Sequence, residues 1–190
     1  AMNGEPLPLQ HGHPLRLMFG GWAASTCGKW VKKIVIRDRE HDGEKMTGHS
    51  YRMPRHPVAP GTKVPGEDMV IIEAMPVKSL VTFPKSGSSH LLAEQLTVRG
   101  HAWVGEGTVA SAEVSLDFGI TWRKAELDKP ANRYAWQHWR TTIALPKKGY
   151  YEIWARAVDD QGRSQPMILP GWNPEGYLNN SCHRIAIQAV

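Results

Sequence analysis

A histidine, an arginine and a lysine near the start of the chain could together bind a phosphorylated ligand. His11 and Arg16 lie five residues apart, and Lys29 follows thirteen residues after Arg16. Arginine offers phosphate a planar pair of donors, whereas the lysine ammonium is a point charge. Between them, residues 20–28 are mostly small, which lets backbone N–H groups approach an anion closely. The segment is therefore a candidate anion-binding site.

Two other interpretations of this segment are open. It could be a surface loop with incidental charge, because no single spacing in it is a strong motif. It could also bind Zn²⁺ or Cu²⁺ through His11 and His13 together with His49 or His56. The glycine and proline around the first two histidines favour a loop, and no third ligand stands at a motif spacing. We therefore assign no metal ligand to this chain.

The elements that must position these residues fall into two predicted domains, 1–75 and 76–190. The first contains two predicted strands, residues 31–36 and 70–72. Between these strands, residues 37–68 are rich in Gly, Pro, His and charge, and their prolines disfavour helix. An irregular stretch of this length inside a compact domain is usually functional.

The second domain has the two-residue period of β-strands. In residues 109–117, one face carries Ala110, Ala112, Val114 and Leu116. A turn at 117–119 should lead into a partner strand at 120–122. The same alternation recurs in residues 96–104, 151–157 and 185–189. About seven short strands separated by turns indicate a mainly β protein with an immunoglobulin-like antiparallel sandwich.

Tryptophan is frequent in this second half. Trp136 and Trp139 flank a Gln-His pair, and Trp103, Trp122 and Trp154 lie on or beside predicted strands. Most of these side chains should pack in the core or against a sheet, because aromatic residues favour strands. Some could face a partner subunit.

Composition limits the classes of function. The formal net charge is +5, and residues 1–90 carry 12 Lys and Arg against 8 Asp and Glu. This excess suits an anionic ligand, but no motif of a nucleic-acid-binding protein is present. No apolar run reaches the roughly 20 residues that cross a membrane. Two cysteines, Cys27 and Cys182, are too few for a disulfide framework and should be small buried or half-buried thiols.

Several segments resemble motifs of the sulfite oxidase family. MNGEPLP at 2–8, HGHPLR at 11–16 and KWVK at 29–32 resemble one continuous run of that family, and VSLDFGITW at 114–122 resembles its hairpin. AVDD, GWNPEGY and HRI, which begin at residues 157, 171 and 183, match later signatures. The chain thus resembles the C-terminal part of such a molybdoenzyme. Residues 1–75 would be the second half of a molybdopterin-binding domain, and 76–190 the dimerisation domain.

The resemblance implies roles for particular residues. His11 and Arg16 match positions that contact molybdopterin, chiefly at its phosphate end. Cys27, Gly28 and Lys29 match a tripeptide on the same ligand. The family usually has His and Val where this chain has Cys27 and Gly28, so only backbone contacts carry over at those two positions.

The resemblance also implies a substrate pocket. Tyr51 matches the tyrosine whose hydroxyl would hydrogen-bond the oxyanion and assist proton-coupled electron transfer. Glu175 stands where vertebrate enzymes have a pocket arginine. Since a carboxylate cannot bind sulfite, the candidates for anion recognition are Arg52, Arg55 or an arginine upstream of the matched region. The cysteine that ligates molybdenum in the family lies upstream of the matched region, so neither Cys27 nor Cys182 is expected to hold the metal.

The implied function is oxidation of sulfite to sulfate with a molybdenum–molybdopterin cofactor and electron transfer to a cytochrome c. Residues 37–52 look most like the bacterial periplasmic sulfite dehydrogenases, so a periplasmic location is expected. Expected partners are the N-terminal part of the same enzyme and a second copy bound through the sandwich, with no nucleic acid or membrane. The alternatives are a non-catalytic dimerisation or interaction module, or an enzyme acting on another oxyanion such as nitrate.

Overall fold

The protein was analysed as a computed structural model that describes residues 1–2, 4–44 and 46–190. These residues form two compact units. Unit 1 contains Ala1–Met75 together with Gly171–Tyr177, and unit 2 contains Pro76–Pro170 and Leu178–Val190. None of the helices in the described residues has the length and apolar character needed to cross a membrane.

Unit 1 consists mostly of irregular backbone. Its short 3₁₀ helices are Leu9–His11, Ala24–Thr26 and Gly66–Asp68. Strand β1 (Arg52–Pro54) pairs antiparallel with β2 (Met69–Ile71), which coincides with the strand predicted at 70–72. Irregular backbone is therefore the main scaffold for the candidate site residues of this unit.

The strand predicted at 31–36 is wrong for the described structure. These residues are in no strand, although the backbone N–H of Val31 donates to the carbonyl of Leu15 over 3.0 Å. Ile34 and Val35 are largely exposed, and Ile36 is 95% exposed. A strand requires a neighbouring strand to pair its backbone groups, and the described part of unit 1 places none beside this segment.

Unit 2 is a sandwich of two sheets. Its strands are β3 Lys78–Phe83, β4 Ser88–His90, β5 Ala93–Trp103, β6 Val109–Ser115, β7 Arg123–Lys124, β8 Glu126–Leu127, β9 Gln137–Leu145, β10 Gly149–Asp159 and β11 His183–Ala189. The five-stranded sheet has the order β4-β11-β10-β6-β7, and the four-stranded sheet has the order β3-β5-β9-β8. Neighbouring strands are antiparallel except β4 and β11, which are parallel.

Both sheets contribute to one hydrophobic core. Val98 and Ala102 of β5 are fully buried, as are Ile153 and Ala155 of β10. Trp139 of β9 is also inside, at 1% exposure. The alternation predicted for β5, β10 and β11 is confirmed, because every second residue of these strands faces this core. The mainly β, immunoglobulin-like prediction is correct.

Two details of the predicted hairpin differ from the structure. Ala110 is exposed rather than buried, because the register between β6 and β10 shifts at this point and breaks the two-residue period. The strand that returns to β6 is Arg123–Lys124 rather than 120–122. Residues 118–120 are instead part of a longer turn, in which Ser115 Oγ accepts from the N–H of Gly119 over 2.9 Å.

Candidate functional site

The segments around Arg16 and Lys29 lie side by side in unit 1. The N–H of Leu17 donates to the carbonyl of Gly28 over 2.8 Å, and the N–H of Val31 donates to the carbonyl of Leu15 over 3.0 Å. Because these bonds join the chain on either side of the small-residue loop, they bring residue 16 close to residue 29.

Gly12 lies where the three predicted anion-binding residues come together. It is buried and follows the 3₁₀ helix that ends at His11, with a left-handed φ of 112°. A Cβ built on it would lie 3.1 Å from the Cβ of Lys29 and 3.3 Å from the Cβ of Arg16. Only a residue without a side chain allows this approach. The structure therefore brings His11, Arg16 and Lys29 into one cluster.

Carbonyl groups of the 9–11 turn anchor the cations of this cluster. Arg16 Nη1 donates to the carbonyl of His11 over 3.0 Å, and Lys29 Nζ donates to the carbonyl of Gln10 over 3.1 Å. The ammonium of Lys29 also lies 4.6 Å from the ring centroid of Trp30. Each cation is held in place by neutral groups.

The cluster fits an anionic ligand. Among the residues that the structure describes, Arg16 Nε is buried and has no hydrogen-bond partner. A buried donor without an acceptor costs about 1–3 kcal/mol. Within the same residues, the ion pairs found in the structure include neither Arg16 nor Lys29. An oxygen of a phosphorylated ligand would supply both the missing acceptor and the missing negative charge.

Cys27 and Gly28 directly precede Lys29 in the chain. Cys27 is a half-buried free thiol whose Sγ accepts from the N–H of Phe19 over 3.5 Å. A Cβ on Gly28 would lie 3.8 Å from Val31 Cγ2, which is an ordinary contact. The space around a Cβ therefore does not require glycine at this position.

Tyr51 lies in a second cluster of unit 1. Its φ of 53° is in the left-handed region, and its carbonyl accepts from the N–H of Ile72 over 3.0 Å. The half-buried Tyr51 ring is 5.7 Å from the ring of Tyr177, tilted by 32°. Tyr177 was not among the predicted site residues, although its presence in the GWNPEGY motif was a signal that could have identified it.

The segment 171–177 reaches Tyr51 through specific packing within unit 1. A Cβ on Gly171 would lie 2.9 Å from the Cα of Pro57, so this position requires glycine. The N–H of Trp172 then donates to the carbonyl of Val58 over 3.1 Å. Glu175 is exposed. Its backbone N–H donates to Asn173 Oδ1 over 3.2 Å, which tightens the turn.

Arg52 and Arg55 line a concavity of about 790 Å³ in unit 1. Arg52 is buried, and its Nη1 donates to the carbonyls of Met46 and Ser50 over 2.8 and 3.1 Å. Its Nη2 lies 3.2 Å from the carboxylate of Glu40. Arg55 is exposed on the same wall. The acidic residues that also line the concavity are Glu40, Glu67 and Glu73.

These contacts distinguish the two arginines. The guanidinium of Arg52 is occupied by the fold, so its main effect is to hold β1 and the preceding loop together. The side chain of Arg55 is exposed at the concavity and is the better placed of the two to meet an anion. The surrounding carboxylates weaken the positive potential there, so this chain alone forms a poor anion pocket.

The described residues contain no group of three His, Cys, Asp or Glu side chains arranged to hold a metal ion. His49 instead places its Nε2 2.6 Å from the carbonyl of Val64. His11, His13, His49 and His56 therefore belong to no such group within the described residues.

Comparison with known proteins points to one family. A model described as the Mo-co oxidoreductase dimerisation domain matches residues 69–190, and one described as the oxidoreductase molybdopterin binding domain matches residues 1–45. The mitochondrial sulfite oxidase of Rattus norvegicus is 31% identical over 199 residues, covering 100% of this chain and 35% of the relative. An inducible nitrate reductase of Glycine max is 32% identical over 199 residues, covering 96% and 22%.

A solved structure agrees with this assignment. The crystal structure of the sulfane dehydrogenase SoxCD from Paracoccus pantotrophus superimposes with a TM-score of 0.76 at 28% identity, covering 95% of this chain and 45% of that one. This chain spans about a third of the length of the sulfite oxidases that it matches. The chain belongs to the sulfite oxidase family and corresponds to its C-terminal part.

Proposed function

We propose that this chain is part of a molybdenum-cofactor oxidoreductase that oxidises sulfite to sulfate and passes the electrons to a cytochrome c. The observation that carries the proposal is the buried, unpartnered Nε of Arg16 beside Lys29 and His11. An anionic cofactor would complete this arrangement, and the matched family models name molybdopterin as the ligand of that region.

Each proposed binding residue makes a different contact with the cofactor. Arg16 donates to the phosphate end of molybdopterin through its free Nε–H, and Lys29 adds a second positive charge. His11 presents an exposed imidazole at the same turn, and Gly28 contributes its backbone N–H. The N–H of Cys27 already donates to the carbonyl of Ala24 over 3.0 Å, so it is not available to the cofactor. When bound, the molybdenum cofactor supplies the oxygen-atom transfer and electron-storage chemistry.

Tyr51 and Arg55 are the proposed substrate residues of this chain. The hydroxyl of Tyr51 would hydrogen-bond the oxyanion and assist proton-coupled electron transfer, and Arg55 would contribute positive charge. Tyr177 supports the Tyr51 ring. Arg52 acts in this proposal as a positioning residue for β1, because its own donors are bound to Glu40 and to backbone carbonyls.

The metal ligand is proposed to come from the N-terminal part of the enzyme. Burial raises the pKa of the Cys182 thiol, which disfavours the thiolate that a metal requires.

Unit 2 would join two copies of the enzyme. The resemblance to bacterial sulfite dehydrogenases supports a periplasmic location.

The test uses the complete enzyme that contains this chain. Molybdenum content is measured by mass spectrometry, and steady-state assays follow cytochrome c reduction with sulfite. We expect about one molybdenum per active site and sulfite-dependent reduction of the cytochrome. Absence of molybdenum from the purified complete enzyme would contradict the proposal and favour a non-catalytic dimerisation module.

Nitrate is the second candidate substrate. It is favoured by the 32% identity to a plant nitrate reductase. Assays with nitrate and a reduced dye distinguish the two. Nitrate reduction with no activity on sulfite would replace the first candidate by the second.

A further inference from the structure

The backbone of Tyr51 adopts a conformation that its own residue type disfavours. Its φ of 53° lies in the left-handed region, which a bulky side chain rarely enters. Neighbouring hydrogen bonds hold this conformation, since the Tyr51 carbonyl accepts from the N–H of Ile72 over 3.0 Å and the N–H of Arg52 donates to the carbonyl of His49 over 3.3 Å. The surrounding structure therefore determines the direction in which the Tyr51 side chain leaves the backbone.

The ring of Tyr51 is packed against one aromatic neighbour. Among the ring–ring contacts of the described residues, Tyr51 makes one, to Tyr177, with centroids 5.7 Å apart and planes tilted by 32°. Both residues are half-buried. A side chain that acts on a substrate must be held within about 0.5 Å of its productive position. The placement of Tyr177 therefore bears directly on the proposed role of Tyr51.

The residue that fixes Tyr177 is Asn173. Its Nδ2 donates to the carbonyl of Tyr177 over 2.7 Å, and its Oδ1 accepts from the N–H of Glu175 over 3.2 Å. The carbonyl of Asn173 also accepts from the N–H of Gly176 over 3.0 Å. Three hydrogen bonds from one residue thus close the turn 173–177.

The chain that leads into this turn is itself attached to the rest of unit 1. A Cβ on Gly171 would lie 2.9 Å from the Cα of Pro57, and the N–H of Trp172 donates to the carbonyl of Val58 over 3.1 Å. Asn173 therefore follows two anchored residues, and its carboxamide transmits their position to Tyr177.

We propose that Asn173 is a positioning residue for the Tyr51 hydroxyl. It holds the carbonyl of Tyr177, and in this way it holds the Tyr177 ring against the Tyr51 ring. The inference rests on the proposed function, because it concerns the proposed substrate tyrosine. Asn173 itself touches neither substrate nor cofactor in this proposal and acts through Tyr177 alone.

The first test compares two Asn→Asp replacements in the complete enzyme. Asn173→Asp keeps an acceptor for the Glu175 N–H but places a second acceptor against the Tyr177 carbonyl, which must move away. Asn179→Asp is the matched control. In the described structure the side-chain hydrogen bonds of Asn179 both use its Oδ1, which accepts from the N–H and the hydroxyl of Ser181 and is retained in aspartate.

We expect Asn173→Asp to lower the turnover number for sulfite about five- to tenfold and to change KM by less than about twofold, because a misplaced group slows the chemical step. Asn173→Ala removes the same hydrogen bonds without adding charge and should give a similar loss. Asn179→Asp should leave both constants unchanged. A normal turnover number in both Asn173 variants would overturn the proposal.

A double variant separates positioning from a general structural effect. In a Tyr51→Phe background, Asn173→Asp should lower the turnover number by less than about twofold, because the hydroxyl that Asn173 positions is already absent. An equal loss in both backgrounds would show that Asn173 does not act through the Tyr51 hydroxyl, and it would overturn the proposal.

The second test needs no turnover. Tetranitromethane nitrates accessible phenol rings, and peptide mass spectrometry measures its rate at Tyr51 in the complete enzyme, while circular dichroism checks that each variant is folded. We expect several-fold faster nitration of Tyr51 in Asn173→Asp and Asn173→Ala, and the wild-type rate in Asn179→Asp. Equal rates in all of these proteins would contradict the inference. Faster nitration in the Asn173 variants of an enzyme that has no sulfite activity would refute the proposed function and leave the placement of Tyr51 by Asn173 intact.

Discussion

Gly12 lies so close to Lys29 that a Cβ on residue 12 would stand 3.1 Å from the Lys29 Cβ and 3.2 Å from its Cα. The turn that follows His11 is thereby packed directly against the proposed cofactor-binding lysine. A side chain at residue 12 requires Lys29, and Arg16 beside it, to shift by a few tenths of an ångström.

Gly12→Ala is expected to lower the molybdenum content of the complete enzyme several-fold, because it displaces both cations of the cluster. The control is Gly61→Ala, at a glycine with a similar left-handed φ of 83° and nothing within 4 Å of a Cβ. Both alanines carry about 1–2 kcal/mol of backbone strain. Equal molybdenum loss in the two variants would show that strain, and not the displacement of Lys29, is responsible.

Tyr51→Phe tests the proposed catalytic hydroxyl. We expect the turnover number for sulfite to fall by about tenfold or more, because a proton donor and hydrogen bond to the reacting oxyanion are removed. Tyr177→Phe is the matched control, since its ring packs on Tyr51 at 5.7 Å. A large loss in Tyr177→Phe with normal turnover in Tyr51→Phe would move the role to Tyr177.

Ser79→Ala should destabilise unit 2. The indole N–H of Trp139 donates to Ser79 Oγ over 2.9 Å, and both residues are almost fully buried. Without the hydroxyl, the indole N–H is buried without a partner, at a cost of about 1–3 kcal/mol. Urea denaturation followed by tryptophan fluorescence measures the change. Ser89→Ala, at an exposed position of β4, should have little effect.

His183 should make the stability of unit 2 depend on pH. Burial, and secondarily Lys78, lower its pKa below the ordinary value of 6.5. Its Nδ1 accepts from the N–H of Val81 over 3.0 Å, which requires the neutral ring. The unfolded chain therefore binds the proton more readily, so this stability is fully present above pH 6.5 and is lost as the pH falls through the folded pKa.

The measurement is the urea midpoint of the wild type between pH 8 and pH 5, compared with His183→Asn. Asparagine keeps an acceptor near the position of Nδ1 but does not titrate in this range. We expect the variant to lose less stability than the wild type on acidification. Parallel curves for the two proteins would assign the pH dependence to other groups.

Much of unit 2 could be predicted from local pattern. Val98, Ala102 and Ile153 are buried where the alternation placed them, because a sheet with one buried face imposes a two-residue period. The predicted two-residue alternation failed at Ala110. The shift in strand register there arises from pairing with β10, which lies about 40 residues further along the chain. Pairing register of this kind is not encoded in the neighbouring residues.

The candidate site was predictable only in part. Tyr51 was identified by resemblance, but its contact with Tyr177 joins residues separated by more than a hundred positions. The ion pair between Arg52 and Glu40 was likewise not predictable, because it joins the first residue of β1 to a residue of the irregular stretch twelve positions before it. The strand predicted at 31–36 failed because a strand also needs a neighbour, whatever its own composition.

The sequence by itself determined the sandwich class, through periodicity, and the family, through motifs that run in order along the chain. Only the tertiary structure showed which of the predicted site residues lie in one cluster and which are bonded to other parts of the fold. His11, Arg16 and Lys29 lie together because Gly12 lets two backbone segments pack at van der Waals distance. The guanidinium of Arg52 is instead hydrogen-bonded to carbonyls of the loop that precedes β1. The charge of a residue is local, but its availability to a ligand depends on which neighbours the fold brings against it.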